Sequence, residues 1–333
     1  MSQKYSRLSS NLFTVVIVLL LQSIYFASRG QPLYAPSIPS SNKLFDIIRT
    51  GNAKALEQAL ANGASANDSL SSYTALMAAT LNGTVDQMKV LIEHGANVNY
   101  QSSNGTTALW LAVPDWDKTN LLLDHGADIN HKVQNYGILV KVAAMPGALQ
   151  IFKLLVDRGA DPKKATDDNF LLYNAASSGD TAIIGWLLRY GFKANDTVSF
   201  GDYPLTAALN YRQSDAVKML IDNGANVNAQ PRFGLPNLQG QTFLMSAAVS
   251  NDKPSFYYLL DHGADPNMKC KKGYTALMML QQSEYDEPDM TLALIKHGAD
   301  VSYKAIDGTD AVYFAKQKGS TKSLAILQQH AKN

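Results

Sequence analysis

Residues 74–97 read Thr-Ala-Leu-Met-Ala-Ala-Thr-Leu-Asn-Gly-Thr-Val-Asp-Gln-Met-Lys-Val-Leu-Ile-Glu-His-Gly-Ala-Asn, and both halves of this stretch recur along the chain. The closing half, an apolar pair, two further residues and Gly-Ala, returns as Ala59-Leu60-Ala61-Asn62-Gly63-Ala64 and Leu122-Leu123-Asp124-His125-Gly126-Ala127. It continues at Gly159, Gly191, Gly224, Gly263 and Gly298, so the glycines are spaced by 32, 31, 33, 32, 33, 39 and 35 residues. The opening half returns as Thr107-Ala108-Leu109-Trp110-Leu111-Ala112 and Thr275-Ala276-Leu277-Met278. A period of this size is the mark of a stacked array of small units.

Each unit predicts two short helices. The apolar pair lies on the second, and the glycine fits the left-handed position just past its end, where a side chain is strained. Ala-Asn-Val-Asn or Ala-Asp-Pro-Asn then turns the chain into a loop, and about ten residues later threonine opens the next helix as its cap. A helix pair of this length encloses no core alone, so the units must stack.

These residues resemble the ankyrin repeat, whose pattern runs Thr-Pro-Leu-His-x-Ala-Ala and then Leu-Leu-x-x-Gly-Ala-Asp-x-Asn. The resemblance covers about Lys43 to His330 as nine units, the last lacking the glycine. It implies an all-α solenoid of helix–turn–helix units with projecting hairpin-like loops, occupying residues 43–333. Pro204 is the only proline at its consensus place, and units four and five open at Leu139-Val140 and Leu171-Leu172 without a threonine. Unit three is two residues short around Val113–Trp116, and unit eight two residues long around Glu284–Asp289.

Ahead of the array, Lys4 and Arg7 precede Leu8 to Ser28, twenty-one residues without a charge, closed by Arg29. Positive charge before an apolar run directs the rest of a chain across a membrane. Residues 1–30 are therefore expected to be either a signal peptide cut after Gly30 or a retained anchor spanning residues 8–28. Residues 31–42, with three prolines and three serines, read as a linker. The expected location is extracytoplasmic, in a bacterial periplasm, secreted or tethered to the inner membrane. A lone cysteine suits an oxidising compartment. Sequons stand at Asn67, Asn82, Asn104 and Asn195.

Chemistry is sparse. With 29 Lys and Arg against 28 Asp and Glu, the chain lacks the positive excess that a nucleic-acid binder needs. Cys270 is the only cysteine, which excludes an internal disulfide and any multi-cysteine metal site. His94, His125, His262 and His297 share the slot before the repeat glycine. That slot favours a cation at a helix C-terminus, and packing holds successive helices about 10 Å apart, too far to share a metal. Asp128, Asp161, Asp265 and Asp300 all follow Gly-Ala and read as turn residues. Cys270, beside Lys269, Lys271 and Lys272, is either an activated thiol or an incidental surface cysteine. No nucleophile elbow, phosphate loop or dinucleotide fingerprint occurs, so no catalytic, metal or cofactor residue is assigned and the chain is expected not to be an enzyme.

Surface remains. The family resemblance implies protein binding through the loop tips and the concave face of first helices. Tyr73, Tyr100, Tyr136, Phe200, Tyr203, Tyr274 and Tyr303 fall in those segments and are candidate contacts, unless they only seal adjacent loops. Between Asn228 and Thr242 the period is exceeded by six or seven residues, which offers Phe233, Leu235 and Leu238 as exposed contacts or as a self-packed loop. Trp110 and Trp186 read as core. The expected function is a scaffold for a protein partner, with no nucleic acid and no membrane contact beyond residues 8–28. An immunity protein that neutralises a secreted toxin and an envelope stress scaffold are the alternatives.

Overall fold

The computed structural model describes residues 43–165, 170–199, 201–231 and 240–331. The proposed signal or anchor, the linker, Phe200 and the Phe233–Leu238 segment lie outside the described residues. Eighteen helices are present among the described residues, two per repeat as the period predicts. The chain divides into two compact units, Met1–Asp167 and Asp168–Asn333.

The first unit holds four helix pairs: α1 (Lys43–Thr50) and α2 (Ala53–Ala61), α3 (Ala75–Asn82) and α4 (Val85–Glu93), α5 (Ala108–Ala112) and α6 (Trp116–Asp124), α7 (Ile138–Ala143) and α8 (Leu149–Asp157). Strands β1 (Ser69–Leu70) and β2 (Tyr73–Thr74) pair antiparallel with Ser69 opposite Thr74, and β3 (Lys132–Val133) and β4 (Tyr136–Gly137) pair with Lys132 opposite Gly137. First helices pack on first helices, α1 on α3 and α3 on α5, while second helices form their own row, α2 on α4 and α4 on α6.

The second unit holds five pairs: α9 (Phe170–Ser178) and α10 (Thr181–Tyr190), α11 (Pro204–Asn210) and α12 (Ser214–Asp222), α13 (Phe243–Ser250) and α14 (Lys253–Asp261), α15 (Ala276–Gln281) and α16 (Pro288–Lys296), α17 (Ala311–Lys318) and α18 (Thr321–His330). Its helices stack in the same two rows.

The motif explains this packing residue by residue. The leucine four places before the glycine, at 91, 122, 155, 187, 220, 259 and 294, is fully buried in every case. Burying a leucine contributes about 1.5–3 kcal/mol, and here each is covered by the adjoining repeat as well as its own. Ala75, Ala79, Ala175, Ala176, Ala207, Ala208, Ala247 and Ala248 are buried on the first helices, where a larger side chain would hold neighbours apart. All eight repeat glycines have positive φ, from 79° to 108°.

Polar groups at the helix ends are also completed. Thr74 and Thr107 accept hydrogen bonds from the backbone N–H of Met77 and Trp110, each at 3.2 Å, as caps should. Thr275, expected to do the same, makes no side-chain cap bond. The four pre-glycine histidines bond through Nδ1 to the carbonyl four residues earlier, each at 2.8 Å, which serves the helix C-terminus. Asp128, Asp161, Asp265 and Asp300 accept from the N–H two residues on, as turn residues.

Replacing Gly159 by valine puts a β-branched residue at φ +103° in otherwise open space, so the penalty is backbone strain and not a clash. The variant is expected to lose on the order of 1–3 kcal/mol in urea unfolding. Hydrogen exchange should accelerate in α8 well before α1; uniform protection would contradict nearest-neighbour stacking.

Candidate protein-interaction site

The loops between repeats form fingers with a shared backbone plan. In the finger between repeats two and three, Gly105 N–H donates to Ser102 O at 2.8 Å and Ser102 N–H to Thr106 O at 2.9 Å, leaving Ser103 and Asn104 exposed at the tip. The same pair of bonds closes Val198–Asp202, Cys270–Tyr274 and Ala305–Thr309. The two stranded fingers instead turn through Ser71-Ser72 and Gln134-Asn135, all at positive φ between 51° and 71°. Glutamine and serine tolerate this conformation less well than glycine, and the tight two-residue hairpin requires it.

An asparagine ladder fixes the finger bases. Asn99 donates through Nδ2 to Gly126 O at 2.9 Å and accepts at Oδ1 from Asp128 N–H at 2.7 Å. Asn67, Asn195, Asn228 and Asn267 make the equivalent pair of bonds to the following repeat. All four sequon asparagines are exposed, but Asn67 and Asn195 have their amide nitrogens engaged by the following repeat.

On the first helices of the first unit, Trp110 is half-buried, not core as expected, and lies 5.4 Å from the Lys141 ammonium. Unit three's missing residues shorten α5 to five residues, so its last carbonyls lack helical partners. Lys141 supplies them, donating through Nζ to Trp110 O and Val113 O. The lysine is 9% exposed, and burial pushes its amine down to about 7. A neutral amine retains two N–H groups, enough for both carbonyls. The signal in the sequence was a lysine inside the apolar run Leu139-Val140-Lys141-Val142.

The candidate contacts separate by burial. Tyr73, Tyr100, Tyr136, Tyr203 and Tyr303 are half-buried on the fingers. Tyr203 sets its ring edge-on to Phe243 at 5.9 Å, and Tyr303 lies under the Lys269 ammonium at 4.0 Å. Tyr274 was expected at the surface, yet it is 8% exposed, because it packs edge-on against Phe314 and donates its hydroxyl to Asp307 Oδ2 at 2.7 Å. Cys270 is likewise buried and not a surface cysteine, at the first position of a turn closed by its own N–H and carbonyl. Trp186, expected in the core, is half-buried and stacks on Tyr190 at 4.8 Å. Ile306 was missed: it stands at a finger tip two residues before Gly308, the place any tip residue takes.

Among the described residues no helix is long and apolar enough to cross a membrane, and no group of three or more His, Cys, Asp or Glu is arranged to hold a metal ion.

Paired helices in two rows, fingers closed by tight backbone turns and an inter-repeat amide ladder define a helical-repeat array. The family pattern described as "Ankyrin repeats (3 copies)" matches residues 44–133, 140–231 and 230–305, and the chain belongs to that family. Similar proteins include ankyrin repeat, SAM and basic leucine zipper domain-containing protein 1 of Notamacropus eugenii, 29% identical over 36% of this chain and 25% of its own length. Putative ankyrin repeat protein L86 of Acanthamoeba polyphaga mimivirus is 27% identical over 65% of this chain and 36% of its own length. Human ankyrin repeat and SOCS box protein 6 is 27% identical over 75% of this chain and 49% of its own length. The chain thus spans a quarter to about half of these relatives.

Lys141 gives the site a pH signature. Its folded value, about 7, lies below the unfolded value near 10.5, so the unfolded chain binds the extra proton between them. Stability contributed by this group should therefore rise with pH across that window and be lowest below about 7. Lys141→Met should flatten the rise in the difference between paired urea titrations; parallel curves would refute it.

Proposed function

We propose that this chain is a non-enzymatic scaffold that holds a protein partner outside the cytoplasm, through its finger tips and first helices. Ankyrin repeats act as protein-interaction domains. The observation that carries the reading is the division of labour in each finger. Backbone bonds, the asparagine ladder and, in one finger, the Asn104 carboxamide that accepts from Ser102 Oγ and Thr106 N–H fix the loop, while Ser103, Gln134, Asn135 and Lys272 are exposed. A loop held by its backbone leaves its side chains available for contact without an ordering cost on binding. Export rests on Lys4, Arg7 and the uncharged run to Ser28.

An enzymatic reporter that folds only outside the cytoplasm, fused after residue 42, should be active in cells. Activity only of a cytoplasmic reporter would remove the extracytoplasmic part of the proposal. In a glycosylating secretory host, Asn82 and Asn104 should carry glycan, while Asn67 and Asn195 should not.

For the interface itself, a photoreactive residue placed at Ser103 or Asn135 should crosslink a protein partner in cells. The same residue at Lys89 or Lys153, exposed on the second helices, should not. Capture solely at the second-helix positions would move the interface off the fingers.

A further inference from the structure

We infer that the joined finger tips of repeats eight and nine, centred on Ile306, form a docking site for an acidic segment of a partner protein that carries an apolar side chain between its carboxylates. This rests on the protein-binding reading above and names the partner chemistry of one part of that surface.

Two adjacent fingers are locked together here. Cys270 N–H donates to Tyr274 O at 3.0 Å and Gly273 N–H to Cys270 O at 2.8 Å, which sets Lys271 and Lys272 at one tip. Ala305 N–H donates to Thr309 O at 2.8 Å and Gly308 N–H to Ala305 O at 2.9 Å, which sets Ile306 and Asp307 at the next. The Ile306 N–H reaches Lys272 O at 3.4 Å, and Tyr274 bonds Asp307 across the pair. A Cβ on Gly273 would lie 3.1 Å from both Ile306 N and Ile306 Cγ1, so the tips are in close contact.

Ile306 is 80% exposed on this fixed platform, the most exposed of the large apolar residues described. An isoleucine held in water by a rigid turn gives a partner apolar area with little conformational entropy to lose. Lys269, Lys271, Lys272 and Lys304 are exposed around it on the same two fingers. The carboxylates of these segments are ionised but turned into the fingers, where they accept bonds from neighbouring backbone and side-chain donors, while the ammoniums of Lys271, Lys272 and Lys304 are on exposed side chains. Asp265 and Asp300 close turns, and Asp310 caps α17 through Tyr313 N–H. Asp307 accepts from Thr309 Oγ1 at 2.6 Å and from Tyr274, and these bonds hold its carboxyl down to about 2. The described tips of the first unit, Ser71-Ser72, Ser103-Asn104 and Gln134-Asn135, carry neither charge nor a large apolar group.

Lysines bracketing one apolar side chain select carboxylates spaced about an apolar residue. An anionic membrane fits less well, because ionised Asp307 at the apex repels a flat negative surface while a peptide can place a backbone N–H there.

The test uses the full chain and short fluorescent peptides with a central leucine flanked by glutamates, against versions with glutamine for glutamate or serine for leucine. Anisotropy should show the Glu-Leu peptide binding at least about tenfold more tightly than either control, weakening with salt. Ile306→Ser, and separately Lys272→Gln with Lys304→Gln, should each reduce that binding at least about threefold with the melting temperature unchanged. Equal affinity for the glutamine peptide, or variants that bind normally, would overturn the proposal. So would a preference for phosphatidylserine vesicles over the peptide. A photoreactive residue at Ile306 separates the two levels: partner capture at Ser103 or Asn135 but not at 306 ends this inference alone, and capture at none of the three ends the scaffold reading too.

Discussion

The carboxamide of Asn99 donates to Gly126 and accepts from Asp128, so one side chain in one repeat finishes two backbone groups of the next. Five such asparagines act in this way among the described residues. At the opposite end of the helices other side chains do comparable work. Gln87 reaches Ile47 O, Lys118 reaches Thr80 O and Gly83 O, Lys141 reaches Trp110 O, and Gln213 reaches Ser177 O. Helix ends leave carbonyls that need partners, and a short helix has a large share of them. No repeat is a finished structure, because its core and its helix ends are both completed by a neighbour.

Irregular repeats are closed by the same means. The extra residues of repeat eight form a loop after α15, in which Asp286 accepts from Lys322 N–H, Ser323 N–H and Ser323 Oγ of the last repeat. Glu284 in the same loop meets Lys318 at 2.7 Å. In repeat three the deficit shortens α5, and a lysine stands in an otherwise apolar run to reach the carbonyls that lack helical partners. Burying that amine opposes its charge, while the bonds it makes resist its removal. Both solutions keep the spacing of the flanking helices.

The fold was legible because its signals repeat. A glycine every thirty-odd residues, a leucine four before it and a histidine just ahead each report a position that the backbone geometry imposes. The histidine and aspartate roles could be read from their slots alone, since local bonding decides them. The side-chain environments of Tyr274, Cys270, Trp110 and Trp186 could not. Each depends on what the neighbouring finger or helix places against it, which no single repeat contains. Ile306 escaped notice for a related reason: exposure at a tip is a property of the turn, and an isoleucine there looks in sequence like one more core residue.

A repeat array separates positions that hold the stack from positions that can vary without disturbing it. The turn at Cys270–Tyr274 and the turn at Ala305–Thr309 use the same two backbone bonds, yet one presents two lysines and the other isoleucine and aspartate. Since the closing bonds come from the main chain and the glycine supplies the positive φ, the turn itself makes no demand on the size or polarity of Ile306, whereas Asp307 beside it is held by Thr309 and Tyr274. An apolar side chain left in water at such a place gains nothing for the fold, as its burial elsewhere would favour folding. The joined tips are also tied by Tyr274 and Asp307, a contact that orders the platform before anything binds it. Order in the free state lowers the cost of association, so the rigidity of these fingers bears on binding more than on the stability of the stack.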